Sequence, residues 1–241
     1  MKKLNNLLKN HKYICFLDFE GTQFTHEMIA IGALFCSLDK NGLIKKEKKP
    51  FKLIVLPKNK VGNFVTNLTG ITEEMIRKQG VKFSVAMNEL KKYCGAHFTK
   101  CSFLTYGNHD LTILNKSISY NLDYPKDICS QIQKNYLDFQ TFIAEFIRDA
   151  KGNALSVIHL CELFNIKQAG EAHDPSVDAI NLAHIYNEFN KQKELVRTQY
   201  KNVLNIKNNF PEPVKEVMKK LLNGETVTED DFDNFVKRYL N

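Results

Sequence analysis

The segment from Tyr13 to Thr22 constrains the fold more than any other part of the chain. It reads Tyr-Ile-Cys-Phe-Leu-Asp-Phe-Glu-Gly-Thr, a run of strand-forming apolar residues that leads directly into Asp18 and Glu20. Residues two apart on a β-strand point to the same face, so both carboxylates leave the sheet on one side. Like charges held together are costly to bury unless a cation lies between them. The segment therefore predicts either a divalent-metal site or a solvated acidic turn at the end of a strand.

The residues that follow predict two more strands in an antiparallel meander. His26–Leu38 is a long apolar run, and Asp39-Lys40-Asn41-Gly42 after it has the composition of a hairpin turn. Lys45–Pro57 is predicted as the third strand, which ends at its proline. Further along the chain, Cys101–Tyr106 is predicted as another short strand and Tyr136–Phe139 as a brief extended piece.

Helical spacing of apolar residues recurs between and after these strands. The predicted helices are Asn63–Gly70 (a short helix or a turn), the segment that starts at Thr72, Ser84–Tyr93, the segment from Leu111, Thr141–Ala150, Leu155–Phe164, Ser176–Phe189, Val214–Leu222 and Glu229–Leu240. We therefore predict an α/β domain over residues 1–190. Residues 191–241 are predicted to form a helical C-terminal extension.

The composition is that of an ordinary globular protein. Hydrophobic residues make up 43% and charged residues 25% of the 241 positions, and no apolar run approaches membrane-spanning length. The formal charge of +7 favours a polyanionic partner, although lysines that merely solvate a surface also account for it. Cysteines lie mostly within apolar runs without Cys-x-x-Cys spacing, which predicts buried thiols. We expect a cytoplasmic protein and no membrane partner.

Two more acids fall where they can converge with Asp18 and Glu20. Asp110 lies where a strand gives way to a helix, and Asp178 lies inside an apolar helix, where a carboxylate is costly unless it faces a polar cavity or a cation. His173, just before that helix, is either a surface histidine or a general base at the edge of an acidic pocket. Carboxylates without cysteines favour Mg²⁺ or Mn²⁺, and two such ions about 4 Å apart can promote phosphoryl displacement.

The ordered set of motifs resembles the DEDDh 3′–5′ exonucleases, which have the ribonuclease H-like fold. The matching segments are Asp18-Phe19-Glu20-Gly21-Thr22, Leu68-Thr69-Gly70-Ile71-Thr72, Gly107-Asn108-His109-Asp110, and His173 with Asp178 five residues later. The resemblance covers Tyr13 to Asn190. It implies a mixed sheet, with an antiparallel meander followed by parallel strands, flanked by helices.

The resemblance also implies the roles of the site residues. It makes Asp18, Glu20, Asp110 and Asp178 the ligands of two divalent ions, Mg²⁺ or Mn²⁺, with Glu20 also acting in catalysis. It makes His173 the general base that accepts the proton of the attacking water.

The form of the motifs is most similar to the RNA-trimming branch, which includes the exonucleases of histone messenger RNA and small interfering RNA. The implied reaction is the removal of nucleoside 5′-monophosphates from single-stranded RNA or short 3′ overhangs. A DNA 3′–5′ exonuclease or proofreading subunit remains the alternative. A non-catalytic nucleic-acid-binding module is a third reading, but converging carboxylates would repel phosphate without metal.

A nucleotide pocket is expected beside these acids. Gly21 and Thr22 would let the backbone approach a terminal sugar, because glycine has no side chain. Leu68 either stacks on a terminal base or packs in a capping turn, and Phe24 and Met28 either floor the pocket or fill the core, with core favoured for Met28. The remaining predicted substrate contacts, in the matching segments, are Thr69 and His109.

The chain departs from the family pattern at two places. Many relatives have an arginine shortly before the catalytic histidine, whereas this chain has Glu171 and Ala172, so one expected phosphate contact is in question. Gln23 stands where the RNA branch usually has a cysteine or a similar residue after the threonine, which predicts a different nucleoside pocket.

The C-terminal extension has two readings. A basic set with an interleaved Tyr200 is suited to hold a nucleic-acid backbone, and it comprises Lys191, Lys193, Arg197, Lys201 and Lys207. The acidic run from Glu229 to Asp233 argues against a uniformly basic surface. Packing on the domain, or binding of a protein partner, is therefore the favoured reading.

Overall fold

The computed structural model describes residues 2–170, 173–206 and 209–240. Its strands are β1 (Tyr13–Gly21), β2 (Met28–Leu38), β3 (Ile44–Glu47), β4 (Phe51–Ile54), β5 (Cys101–Thr105) and β6 (Tyr136–Asp138). Within the described residues they form one sheet in the order β3-β2-β1-β5-β6, and β4 also pairs with β2. The β1–β2, β2–β3 and β2–β4 pairs are antiparallel, whereas β1–β5 and β5–β6 are parallel. The predicted mixed sheet is confirmed.

The third strand of the meander was predicted as one element over Lys45–Pro57, and this is wrong. The segment forms two short strands, β3 and β4, which pair with opposite halves of β2. Pro50 lies in the interruption between them and has no backbone N–H to donate to a ladder. Lys48 instead donates its backbone N–H to the carbonyl of Phe35, at 2.9 Å.

Helices lie on both faces of the sheet. The helices up to Lys191 are α1 (Lys2–Leu7), α2 (Asn63–Thr69), α3 (Glu73–Gln79), α4 (Phe83–Cys94), α5 (His109–Tyr120), α6 (Lys126–Lys134), α7 (Phe139–Ile143), α8 (Val157–Leu163) and α9 (Pro175–Lys191), with a 3₁₀-helix at Gly95–Lys100 between α4 and β5. One core cluster joins the α4, α5 and α6 side of the sheet to alternate residues of β1. On the other face, Phe16 of β1 contacts Tyr186 of α9, with ring centroids 5.5 Å apart.

Three of these helices differ from the sequence prediction. Helices α1 and α6 were not predicted, although Leu4 of α1 and Ile128 and Ile132 of α6 are buried. The helix predicted over Thr141–Ala150 is wrong in extent, because α7 ends at Ile143. Asp149 then accepts backbone hydrogen bonds from residues 151 and 153, which closes a loop where a helix would have continued.

The apolar half of β1 and the cysteines behave as predicted. Ile14 to Leu17 are buried, and Met28 is completely buried in the core. All six cysteines are buried and free, which confirms the prediction of buried thiols. Among the described residues, none of the helices has both the length and the apolar character that crossing a bilayer requires.

The chain divides into two compact units. The first comprises Met1–Phe142 and Ser156–Lys191, and the second comprises Ile143–Leu155 and Gln192–Asn241. The second contains α10 (Lys193–Ile206), α11 (Glu212–Leu222) and α12 (Glu229–Leu240).

Within the second unit, the acidic run opens α12. The backbone N–H of Asp231 donates to the Thr228 hydroxyl at 3.2 Å, so Thr228 caps the start of this helix. Asp231 also accepts from Lys220 of α11 at 2.8 Å, which joins these two helices. Lys207, one of the predicted basic residues, lies outside the described residues.

Candidate active site

Close packing of α9 on β2 brings Asp178 towards Asp18. Gly32 of β2 is the strand partner of Asp18 on β1. A Cβ at Gly32 would lie 1.9 Å from the carbonyl carbon and oxygen of Pro175, the first residue of α9. Only glycine therefore permits this approach. Asp178 follows Pro175 within the first turn of the same helix.

The helix α5 brings Asp110 to the same edge of the sheet. Asp110 is only 6% exposed, and its carboxylate accepts a hydrogen bond at 2.7 Å from the backbone N–H of Phe19, which lies between the two acids of β1. Ser117, two turns later, accepts from the backbone N–H of Met28 at 2.8 Å. A Cβ at Gly21 would lie 2.9 Å from Ile113 of α5, so this residue also packs closely against the helix.

The loop before α9 carries His173. Its backbone N–H donates to Oδ2 of Asp178 at 2.9 Å, and its φ angle is +65°. Asp174 follows, and its Oδ1 accepts from the backbone N–H of Ser176 at 3.0 Å and from the Ser176 hydroxyl at 2.7 Å, as an N-cap residue does. Its Oδ2 accepts from Nζ of Lys52 on β4 at 2.7 Å.

The acids raise one another's pKa. Burial raises the pKa of Glu20 to about 8, and the charges of Asp178 and Asp110 add to this effect. Burial also raises the pKa of Asp110 to about 7, although the hydrogen bond from Phe19 opposes the shift. Burial and the charge of Asp110 raise the pKa of Asp18 well above its usual range. Without a counter-ion, this group of carboxylates is electrostatically unfavourable.

The carboxylates line an open cleft of about 370 Å³. Its described lining contains Asp18, Glu20, Asp110, Asp178 and His173 but no lysine or arginine. Glu20, His173 and Asp178 each offer one ligand atom, and these atoms lie within 4.8 Å of one another. Oxygen donors around an uncompensated negative charge suit Mg²⁺ or Mn²⁺. The residues present therefore fit divalent metal ions.

The opposite wall of the cleft is α2, which has no buried residue. Its apolar side chains Phe64, Val65 and Leu68 line the cleft, with Phe64 64% and Leu68 42% exposed. Phe64 was not among the predicted substrate contacts. The spacing in the sequence indicates this residue, because Phe64 lies four positions before Leu68 and residues four apart share a helix face.

Gln23 holds this wall in place. Its backbone N–H donates to the carbonyl of Val61 at 2.8 Å, and its side-chain Oε1 accepts from the backbone N–H of Phe64 at 3.3 Å. A Cβ on Gly62 would meet the Gln23 side chain at 2.5 Å, so the amide lies directly over that glycine. The residue that departs from the family pattern therefore anchors the start of α2. The other departure, at Glu171 and Ala172, lies outside the described residues.

The cleft includes four of the six predicted substrate contacts. Gly21, Thr22, Leu68 and His109 line it. The Thr22 hydroxyl, however, accepts from the backbone N–H of Glu27 at 2.9 Å and lies 2.7 Å from the Thr25 hydroxyl, so it stabilises the turn after β1. The cleft also includes His26, which was not predicted and whose ring contacts that of His109 edge to face, with centroids 5.2 Å apart.

The structure places the other two predicted contacts outside the described lining. Phe24 is 81% exposed at the tip of the turn, so it neither floors the cleft nor fills the core. Thr69 donates its hydroxyl to the carbonyl of Val65 at 2.9 Å and accepts from the backbone N–H of Ile71 at 3.1 Å. Its side chain is thus used to end α2.

The fold and this group of acids are those of a nuclease. The exonuclease family model RNase_T matches residues 15–186, and the chain belongs to this family. The predicted enzyme class, an exonuclease, is confirmed. No curated protein matches the chain.

Solved structures of other nucleases share the fold. The nuclease domain of 3′hExo, a DEDDh family member bound to rAMP, is 20% identical with a TM-score of 0.59, and the match covers 76% of this chain and 93% of that one. Cell-death related nuclease 4 (CRN-4) is 20% identical with a TM-score of 0.59, covering 76% and 64%. E. coli exonuclease I in complex with a dT13 oligonucleotide is 17% identical with a TM-score of 0.55, covering 78% and 43%.

Proposed function

We propose that this exonuclease uses two divalent ions to remove nucleoside 5′-monophosphates from the 3′ end of single-stranded RNA or short overhangs. The observation that carries the proposal is the convergence of Asp18, Glu20, Asp110 and Asp178 on one cleft whose described lining has no cationic residue. Such a cleft repels phosphate unless metal ions reverse its charge. Activity is therefore expected to depend on added Mg²⁺ or Mn²⁺.

The four carboxylates would hold the ions. When bound, the ions supply activation of the attacking water and neutralisation of the charge on the leaving 3′ oxygen. Asp110 is held in place by the backbone of β1, and Asp178 by the first turn of α9 and by the backbone N–H of His173. The donors are thus fixed by secondary structure before the substrate arrives, as an efficient metal site requires.

His173 is proposed as the general base. It lies at the mouth of the cleft, within 4.8 Å of donor atoms on Glu20 and Asp178, and it is exposed to solvent. An imidazole there can accept the proton of the attacking water near neutral pH and pass it to solvent. Glu20 is the acid of β1 that belongs to this group of donors, which supports its proposed part in catalysis.

The two walls suggest how the end of a strand is held. The apolar side chains of α2 face the cleft and offer flat or branched surfaces on which a base can stack. Gly21 leaves room for a sugar beside the carboxylates. The preference for RNA is supported by the motif forms and by the likeness to 3′hExo, which was solved bound to rAMP. The likeness to exonuclease I, solved with a dT13 oligonucleotide, keeps single-stranded DNA as the alternative substrate.

We also propose that residues 1–190 are the catalytic domain and that the extension over residues 191–241 binds a protein partner. The exposed apolar side chains Leu221, Phe232 and Tyr239 support such binding. The six buried free thiols are consistent with the reducing environment of the cytoplasm, where we propose the protein acts.

A time course with two 5′-labelled strands tests the proposed reaction. Single-stranded RNA and DNA of the same sequence are incubated with the protein and Mg²⁺, Mn²⁺ or a chelator. We expect a ladder that shortens from the 3′ end with metal only and runs faster on RNA. If the DNA strand is shortened faster, the proposed substrate is single-stranded DNA and not RNA.

The variant Asp178→Ala serves as the catalytic control. It should abolish the ladder while the thermal unfolding of the protein stays cooperative. An unchanged cleavage rate in this folded variant would contradict the assignment of the site.

A further inference from the structure

An ion pair joins β4 to the loop that carries His173. Nζ of Lys52 lies 2.7 Å from Oδ2 of Asp174, the residue directly after His173. Lys52 is the strand partner of Gly32, where α9 packs most closely on the sheet. The pair therefore lies at the junction between the sheet edge and the start of α9.

The two oxygens of Asp174 have separate roles. Oδ1 caps α9 through the backbone N–H and hydroxyl of Ser176, whereas Oδ2 is left to accept from Lys52. The same side chain thus fixes the helix start on one side and ties it to β4 on the other. The cap would hold the helix even without Lys52, so the ion pair must act on the loop rather than on the helix.

The conformation of this loop requires stabilising contacts. His173 is exposed and has a φ of +65°, a left-handed conformation that is unfavourable for a residue with a side chain. Its backbone N–H bond to Asp178 holds the main chain close to the acid cluster. A general base displaced by about 1 Å loses much of its effect. Any contact that holds residues 173–174 therefore influences the rate.

We propose that Lys52 is a positioning residue, whose ion pair with Asp174 holds the loop so that the His173 imidazole faces Glu20 and Asp178. The inference rests on the proposed role of His173 as general base. The pair is partly exposed, and an exposed ion pair changes the equilibrium between two conformations by up to about fivefold. The ion pair is therefore expected to change the fraction of molecules in which His173 is correctly placed.

Four variants test the proposal. Lys52→Met removes the charge and keeps the stem, Asp174→Asn removes the charge and keeps the cap, and the double variant combines them. Lys52→Arg preserves the ion pair. The matched control is another ion pair between two elements, Lys91 of α4 with Asp127 of α6 at 3.1 Å, which lies outside the cleft. It is removed in Lys91→Met.

Kinetics on a 5′-labelled single-stranded oligoribonucleotide with Mn²⁺ give the first readout. We expect kcat to fall about three- to fivefold in Lys52→Met and Asp174→Asn, with KM changed less than about twofold. The double variant should be no slower than either single variant, because both remove one interaction. Lys52→Arg should restore kcat, and Lys91→Met should leave it unchanged. An unchanged kcat in Lys52→Met, or additive losses in the double variant, would overturn the proposal.

Amide hydrogen exchange of residues 173–178 in the metal-free protein gives the second readout, which needs no activity. We expect faster exchange of the His173 amide in Lys52→Met and exchange like wild type in Lys91→Met. This readout tests the role of Lys52 separately from the proposed function of the protein. Faster exchange in a protein that cleaves neither RNA nor DNA would support the ion pair and overturn the proposed function. Unchanged exchange would overturn the role of Lys52 even in an active nuclease.

Discussion

The two walls of the cleft are built in opposite ways. The acidic wall consists of the end of β1 and the starts of α5 and α9, and packing fixes each part. Gly32 admits α9 against the sheet, and Phe19 binds Asp110 through its backbone. The apolar wall is α2, seven residues long with no buried side chain, tied to the turn after β1 by Gln23.

This difference separates two tasks. Groups that hold metal ions must keep their geometry within fractions of an ångström, so the chain attaches them to its core. Groups that stack on bases need only present a surface, so a short helix without buried residues suffices. Changes on the acidic wall should therefore alter the chemical step, whereas changes on the apolar wall should alter substrate binding.

The largest effect is expected from Asp18→Asn on the acidic wall. The variant keeps the shape but removes a metal ligand, and kcat should fall about a thousandfold, as for other groups that stabilise transition-state charge. In chelator, the same change removes one carboxylate from a cluster of like charges, so the melting temperature should rise by about 2–4 °C. Activity and thermal unfolding are measured on the same sample. A variant that loses activity and also unfolds earlier would contradict the electrostatic argument.

Gly32→Ala tests whether packing fixes the acidic wall. The new methyl group would collide with the backbone of Pro175, so α9 must move. We expect a loss of about 1–3 kcal/mol in the free energy of unfolding and about a hundredfold in kcat, because Asp178 moves with the helix. Thermal unfolding and steady-state kinetics measure the two losses.

Gly70→Ala is the counterpart at the end of α2. Gly70 has φ +69°, and a Cβ added there would meet no atom of the described residues within 4 Å. Only backbone strain of about 1–2 kcal/mol is therefore expected. Its kcat should stay close to that of wild type. Equal losses of kcat in the two variants would refute the contrast between the walls.

Phe64→Ala examines the apolar wall. Removal of a stacking surface costs about 1–3 kcal/mol per base, so KM should rise about tenfold with little change in kcat. Phe24→Ala is the matched control, because Phe24 is equally aromatic but lies outside the described lining of the cleft. The measurement is steady-state kinetics on short single-stranded RNA. If KM rose more in Phe24→Ala than in Phe64→Ala, Phe24 and not Phe64 would be the substrate contact.

The smallest effect concerns the pH dependence of stability without metal. The pKa values of Glu20, about 8, and Asp110, about 7, lie above those of the unfolded chain. Between about pH 4 and pH 8 the folded protein therefore binds more protons than the unfolded chain, and its stability falls as the pH rises. We expect a melting temperature in chelator that decreases by several degrees from pH 5 to pH 8. A saturating concentration of Mn²⁺ should remove most of this slope, and a rise with pH in chelator would contradict the sign.

The sequence was sufficient for the main sheet and for the acid cluster. The apolar run of β1, its two acids and the register of residues two apart depend on local patterns. Asp110 stood out at the junction between a strand and a helix, and Asp178 stood out inside an apolar helix. Pro50 indicates a break in the third predicted strand, but the apolar residues on either side of it favoured one continuous strand. Helix α6 was missed although its buried residues have helical spacing.

Other parts depend on contacts between distant segments. The role of Gln23 requires its position over Gly62, and the orientation of Phe24 depends on a turn whose hydroxyl and amide bonds involve Thr22 and Glu27. The ion pair of Lys52 with Asp174 joins residues far apart in the chain, and neither residue has a distinctive local pattern. Such features follow from the folded arrangement and not from spacing.

A calorimetric titration shows whether the four carboxylates of the cleft form a divalent-metal site. Mn²⁺ is titrated calorimetrically into the metal-free protein, into Asp18→Asn, and into the surface control Asp127→Asn. We predict saturable binding of two ions to wild type and to the control, and loss of at least one ion in Asp18→Asn. Absence of binding to the folded wild-type protein, or equal binding by Asp18→Asn, would contradict the account.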